Sequence, residues 1–379
     1  MPEPAGYGSF AFARAGRSER DGRNGAGGTQ YAGRVPPANE PRPVALIAVQ
    51  ARLHPDRYRS EAAYRAWIAD ACARAVAGLP PAAEVPRLIA FPELIGAPLA
   101  WALNRPADPR DADRAWHRVL QNVREAPGTV ARAAIRFRRF GPSLLHHPRA
   151  ELAGRVHHRA FSDAAREARA TVVAGTILGP PVDHEPARGW HVTHGPVRNR
   201  ALVFGPGGGL LGASDKAFLT PGAESRIGLS PGRLEDLRPL ATPVGPVGVA
   251  VCLDAFHEEA VGRLDGQGAT VLVQPSANPV PWTRRWPHDP ALSEGEAWWR
   301  HGLPRLLRER THLRAGVNPM AVGDAFGLRP RGRSTVVVAG APGVHGLPDG
   351  IVAAAPNDVG EAIVRTVASL PLGYDFRPT

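Results

Sequence analysis

The strongest constraint on this chain is a succession of short apolar runs alternating with stretches of helical spacing. The runs are Val44–Val49, Arg87–Phe91, Thr171–Ile177, Ala201–Phe204, Leu210–Ala213, Val247–Val251, Ala269–Val273, Gly316–Asn318, Ser334–Val338 and Ile351–Ala354. Runs of this length, bounded by Gly, Pro or polar residues, read as buried strands. Two of them flank Gly205–Pro206–Gly207–Gly208–Gly209, which predicts a hairpin. Between the strands, Ser60–Val76 has helical spacing with Ser60 as N-cap. Phe161–Ala170, residues 294–314 and Val359–Leu370 also read as helices, and residues 104–160 as mostly helical or irregular. This alternation favours a mixed-sheet α/β layered domain over a helix bundle or an all-β fold. No fixed-period repeat is present.

The 379 residues are 43% hydrophobic and 21% charged, a balance that can bury a large core. Residues 1–40 are rich in Gly, Arg, Ala and Pro without apolar period, so they read as a disordered leader. Residues 41–379 read as one domain. No apolar run reaches the ~18 residues of a membrane span, and no signal-peptide pattern opens the chain. Two cysteines, Cys72 and Cys252, cannot build a disulfide framework. The expectation is a soluble cytoplasmic protein with no membrane partner, forming a homodimer or a larger homo-oligomer.

The formal charge is +11, from 46 basic and 35 acidic residues. The Arg clusters, Arg136–Arg139 and Arg329–Arg333, lack interleaved stacking aromatics, so they read as solvated surface and not as a nucleic-acid site. Lys occurs once, at position 216, and the other 45 basic residues are Arg. A lone Lys in such a background points to a place where a compact ammonium works and a planar guanidinium does not.

Three chemical patterns in the chain have simpler readings. Gly228–Leu229–Ser230–Pro231–Gly232 matches the serine elbow pattern, but Pro231 lacks the N–H that an oxyanion hole needs. The glycine run at 205–209 is followed by a strand, so no helix N-terminus backs a phosphate site. His146, His147, His157 and His158 are close in sequence and His191 and His194 have H-x-x-H spacing, but the Glu of a zincin helix is missing and the stretch around His191 and His194 is too rich in Gly and Pro to stay helical, so no metal is expected.

A different constellation falls at strand ends, where α/β proteins place their chemistry. Glu93 stands just past Leu88–Phe91, Lys216 follows the hairpin strand, and Cys252 ends Val247–Val251. A carboxylate, an ammonium and a thiol suffice for acyl transfer. The thiolate attacks carbon, the carboxylate moves the proton, and the ammonium steadies the oxyanion.

Phe91–Pro92–Glu93–Leu94, Asp215–Lys216 and Cys252–Leu253–Asp254 resemble the Glu–Lys–Cys signatures of the nitrilase superfamily of carbon–nitrogen hydrolases. Gly268–Asn278 resembles the segment after the family's cysteine. Arg314–Ala315 with Asn318 resembles a later Arg–Ala–x–Glu–Asn element, except that Val317 replaces the Glu. The resemblance runs from about Pro43 through Val359–Leu370. It implies a four-layer α–β–β–α sandwich, with Cys252 as nucleophile, Glu93 as general base and Lys216 as oxyanion donor. It further implies that Glu224 orients the lysine and the substrate, that the Leu253 N–H completes the oxyanion hole, and that Asn278 contacts substrate. The chemistry calls for no cofactor. Leu253–Asp254 resembles amidases and carbamoylases more than nitrilases, so the expected substrate is a small amide or N-carbamoyl compound. A nitrile substrate, acyl transfer to an amine, and an inactive binding relative remain alternatives. The Trp282, Trp286, Trp298 and Trp299 segment reads equally as a pocket wall and as core or dimer-contact aromatics.

Overall fold

The computed structural model describes residues 41–104, 115–138 and 141–371. The leader reading of residues 1–40 lies outside them. In chain order the principal elements are β1 (Pro41–Gln50), α1 (Glu61–Val76), β2 (Arg87–Ala90), α2 (Ala150–Ala168), β3 (Thr171–Gly179), β4 (Arg198–Phe204) and β5 (Leu210–Asp215). There follow β6 (Val247–Val249), α3 (Glu258–Gly266), β7 (Val271–Val273), α4 (Glu294–His301), α5 (Leu303–Arg308), β8 (Ala315–Asn318), β9 (Thr335–Val338), β10 (Ile351–Ala354) and β11 (Ala362–Pro371).

The strands form two sheets. One has the order β11-β1-β2-β3-β4-β5, the other β10-β9-β8-β7-β6. In the first, β1, β2 and β3 run parallel, and β4, β5 and β11 are antiparallel to their neighbours. In the second, β6, β7 and β8 run parallel, with β9 and β10 antiparallel.

The apolar runs are continuous because both faces of the central strands are covered. In β1, Val44, Leu46 and Ala48 face the other sheet and pack with Val247, Val249, Val271 and Val273. Their alternates Ala45, Ile47 and Val49 face the opposite way, among Trp67, Ile68 and Phe161 of α1 and α2. On the far side, Val261 and Leu264 of α3 and Leu306 and Leu307 of α5 cover Leu272 and Val337. The layers are therefore α–β–β–α, as the resemblance implied. At about 1.5–3 kcal/mol for each large apolar side chain buried, these three layers supply the main drive to fold. Among the described residues no helix is long and apolar enough to cross a membrane.

Several local expectations change. Val359–Leu370 is not a helix: Ala362–Pro371 is a strand paired with β1 through ten residue pairs. Its apolar positions fit either period, and the β-branched Ile363, Val364, Thr366 and Val367 favour the pleated surface that β1 offers. The helix expected over 294–314 breaks at Gly302 into α4 and α5 and stops at Arg308. The one expected at 161–170 begins earlier, at Ala150. Ser60 does cap α1, its side chain accepting from the Ala63 N–H at 3.1 Å.

Candidate active site

The C-terminal ends of β2, β5 and β6 carry the three expected residues. Glu93 follows β2, Lys216 follows β5, and Cys252 lies just past β6. β6 itself stops at Val249, and Cys252 opens a short 3₁₀ turn, Cys252–Phe256, with φ +48°. Leu94, next to Glu93, also has positive φ, +65°. Positive φ in non-Gly residues costs energy and concentrates at functional sites. Close approach at Glu93 requires Gly175: a Cβ there would stand 2.0 Å from the Pro92 carbonyl oxygen. That glycine lies where β3 shifts register against β4, between Val173 and Thr176.

Lys216 is 1% exposed. Its Nζ lies 2.9 Å from Glu93 Oε1 and 2.8 Å from Glu224 Oε2. Asn199, from β4, donates its Nδ2 to Glu93 Oε1 and to Glu224 Oε1, both at 2.8 Å. The Thr220 N–H donates to Glu224 Oε2 at 2.7 Å. Two carboxylates thus share one ammonium and one amide.

Their protonation tendencies are driven apart. Burial lifts the Glu93 carboxyl above its ordinary range, and Lys216 offsets only part of that. Burial would lift Glu224 as well, but Lys216, the Thr220 N–H and Asn199 together hold it below its ordinary range. Burial works against the Lys216 ammonium, yet the charges of Glu93, Cys252 and Glu224 raise it well above an ordinary lysine. The Cys252 thiol is pushed up by burial and by Glu93, with Lys216 and the backbone N–H of Ala277 pulling the other way. The resting group is therefore a neutral thiol beside a carboxylate of enhanced basicity, a pairing suited to proton transfer.

Asp254 fastens the lysine loop to the cysteine turn. Its carboxylate accepts from the N–H groups of Ala217 at 3.1 Å, Phe218 at 2.7 Å and Val251 at 3.2 Å. The Cys252 N–H donates to Pro275 O at 2.9 Å, and Gln274 Nε2 to Cys252 O at 3.0 Å. Leu253 occupies the first turn of the 3₁₀ segment, where an N–H has no partner within the helix.

Asn199, Asp254 and Ala277 are contacts that sequence reasoning missed. The signal for Asn199 was its place in the alternation of β4, two residues before the buried Ala201. Asn278, expected at the substrate, is turned toward α4. Its Nδ2 donates to Glu294 Oε1 at 3.0 Å, and its Oδ1 accepts the Val280 N–H at 3.1 Å. Val317 is buried in the core between the sheets, and Asn318 Nδ2 binds Gln274 O at 2.6 Å. The tryptophans gather beside the cysteine turn: Phe256 meets Trp298 edge-on at 5.0 Å, and Trp298 lies 6.0 Å from Trp282.

The set-aside patterns fall elsewhere. Ser230 sits in a loop, its N–H donating to Val197 O at 2.8 Å. His157 Nδ1 lies 2.9 Å from the Tyr64 hydroxyl, and His146 Nε2 is 2.8 Å from Ile227 O. Among the described residues no His, Cys, Asp or Glu side chains group as metal ligands.

The family model for carbon–nitrogen hydrolases matches residues 46–301. The chain belongs to the carbon–nitrogen hydrolase family. Solved structures agree on the fold. A carbon–nitrogen hydrolase from Helicobacter pylori is 16% identical, with TM-score 0.54, covering 87% of this chain and 89% of that one. Nit3 of Saccharomyces cerevisiae, a nitrilase-superfamily member, is 19% identical with TM-score 0.50, over 88% and 92% of the two chains. An amidase from Nesterenkonia is 18% identical with TM-score 0.50, over 89% and 93%. No curated protein sequence matches the chain.

Proposed function

We propose that this member of the family hydrolyses the carbon–nitrogen bond of an amide or N-carbamoyl group through a thioester on Cys252. One buried ammonium supports the assignment: Lys216 Nζ stands 2.9 Å from Glu93 and 2.8 Å from Glu224, within electrostatic range of the Cys252 thiol. Glu93, the more basic carboxylate, takes the thiol proton as sulfur attacks the carbonyl carbon. The carbonyl electron pair moves onto oxygen, where Lys216 Nζ and the Leu253 N–H donate to it. On collapse the carbon–nitrogen bond breaks, and protonated Glu93 gives its proton to the leaving nitrogen. Water then attacks the thioester with Glu93 again as base, and the proton returns to sulfur. Glu224 stays ionised throughout and holds Lys216 in place. Leu253–Asp254, resembling amidases and carbamoylases, favours this substrate class over nitriles.

The test is ammonia or amine release from a panel of amides, ureides and nitriles. Cys252→Ala should abolish turnover and leave the melting temperature nearly unchanged. One amidase structure similar to this chain carries the acetamide moiety of fluoroacetamide on its active-site cysteine. Fluoroacetamide should likewise label Cys252 here, read by mass spectrometry. Labelling of the buried Cys72 instead, or full activity in Cys252→Ala, overturns the assignment.

A further inference from the structure

Glu294 is a carboxylate with no cation within ion-pair distance among the described residues, in a chain where cations abound. The protein has 46 basic residues against 35 acidic ones, and Asp215 alone is held by both Arg198 and Arg200. Among the described residues no Arg, Lys or His stands within ion-pair distance of Glu294, although it is partly buried at the start of α4. Its Oε1 accepts two neutral donors, Asn278 Nδ2 and Trp298 Nε1, both at 3.0 Å.

Those donors tie it to the reaction centre by two routes. Asn278 follows Ala277, whose N–H reaches the Cys252 sulfur. Trp298 packs edge-on against Phe256, which ends the 3₁₀ turn that Cys252 begins. Glu294 is therefore linked through Asn278 and Trp298 to the two segments that flank the thiol, beside an aromatic cluster of Phe256, Trp298 and Trp282. Gly295 makes the cluster tight, since a Cβ there would lie 2.0 Å from Trp282 Nε1. A carboxylate hydrogen-bonded to an indole N–H also enriches that ring's face, so charge and ring attract the same ligand.

Resting on the amide or N-carbamoyl reading above, we propose that Glu294 and Trp298 form a cation subsite, and that the preferred substrate carries an ammonium or guanidinium group a few atoms from the scissile carbonyl. The carboxylate, held in place by Asn278 and Trp298, is its lock. Asn278 fixes the carboxylate rather than touching substrate.

The test compares charged substrates with neutral isosteres: ω-aminoalkanamides of two to six carbons against the alkanamides with methyl in place of ammonium, and N-(ω-aminoalkyl)ureas against N-alkylureas. The first series places the cation on the acyl side, the second on the leaving amine. Glu294→Gln keeps an oxygen for Asn278 and Trp298 and removes only the charge. In wild type, one charged series should exceed its neutral series in kcat/KM by roughly tenfold or more, and Glu294→Gln should erase that ratio while leaving neutral substrates unchanged. Equal rates for charged and neutral pairs, or a ratio that survives Glu294→Gln, overturns the subsite. Binding is read independently through tryptophan fluorescence of Cys252→Ala. Tighter binding of the charged probes, lost in Cys252→Ala/Glu294→Gln, supports the subsite even if no panel compound turns over, a result that would sink only the hydrolase assignment. Equal binding overturns it.

Discussion

At Lys216 the difference between an ammonium and a guanidinium is one of shape. Nζ is held by two carboxylates at 2.9 and 2.8 Å, with Thr220 Oγ1 at 3.4 Å, and its side chain is 1% exposed. A planar fork cannot enter that space without moving Glu93 or the substrate carbon, and a shift of about 1 Å can cost roughly a hundredfold in rate. Losing one oxyanion donor costs about a hundred- to a thousandfold. Lys216→Arg should therefore lower kcat by at least about a hundredfold while the protein still melts cooperatively, at a temperature lowered by the ~1–3 kcal/mol that overpacking costs. Steady-state kinetics near the wild-type value would return Lys216 to a merely electrostatic role. The pH profile checks the partner residue. Burial raises Glu93, and a general base must be deprotonated to act, so kcat/KM should climb with pH along a limb displaced above the ordinary Glu value of ~4.3. A limb at or below that value would assign the base elsewhere.

Helix α2 shows how an element carries a pH dependence of its own. Its inner face buries His157 against Tyr64 and Phe161, with ring centroids 6.3 and 4.8 Å away. Burial, reinforced slightly by His158, lowers His157 to about 3. Its value in the unfolded chain is ~6.5, so between about 3 and 6.5 the unfolded state binds the extra proton. Its share of stability is thus complete above ~6.5 and declines as pH falls, by up to about 1.4 kcal/mol per pH unit. His157→Phe removes that linkage, though it leaves the Tyr64 hydroxyl without its partner at a cost of ~1–3 kcal/mol. Urea unfolding between pH 5 and 7 should show wild type losing stability more steeply than the variant. Parallel curves would mean that His157 is not the titrating group.

Over the whole molecule, the end of the described chain closes the fold that its beginning opens. β11 covers the outer edge of β1 and sends Val364, Ala368 and Leu370 into the core between the sheets. Arg365 Nη1 donates to the carbonyls of Ala75 and Ala77, fastening β11 to the end of α1. Leu370→Ala should cost about 2–5 kcal/mol in urea unfolding, the range for emptying a packed leucine site. Truncation after Gly360 exposes a ten-residue strand edge and should abolish cooperative melting. A truncated chain that melts like wild type would show that the two sheets hold without this strand.

Burial patterns are written residue by residue, which is why the strands of both sheets, the cap at Ser60 and the hairpin around residues 205–209 were legible in the chain alone. So were the places of Glu93, Lys216 and Cys252 at strand ends, because each ends or follows an apolar run. Pairings are relations between distant residues, and the chain does not display them. That Ala362–Pro371 is a strand depended on β1 offering it an edge, since its apolar spacing suits a helix as well. That Asn199 joins Glu93 to Glu224, 106 and 25 residues away, depended on β4 meeting the end of β2 and the turn that follows Lys216. That Asp254 clasps the Lys216 loop, and that Glu294 meets Asn278 and Trp298, emerged only when packing fixed which donors each carboxylate could reach. The sequence determined which residues are buried and which are reactive; the tertiary structure decided which of them face one another, because hydrogen bonds and charges act over a few ångströms of space and not along the chain.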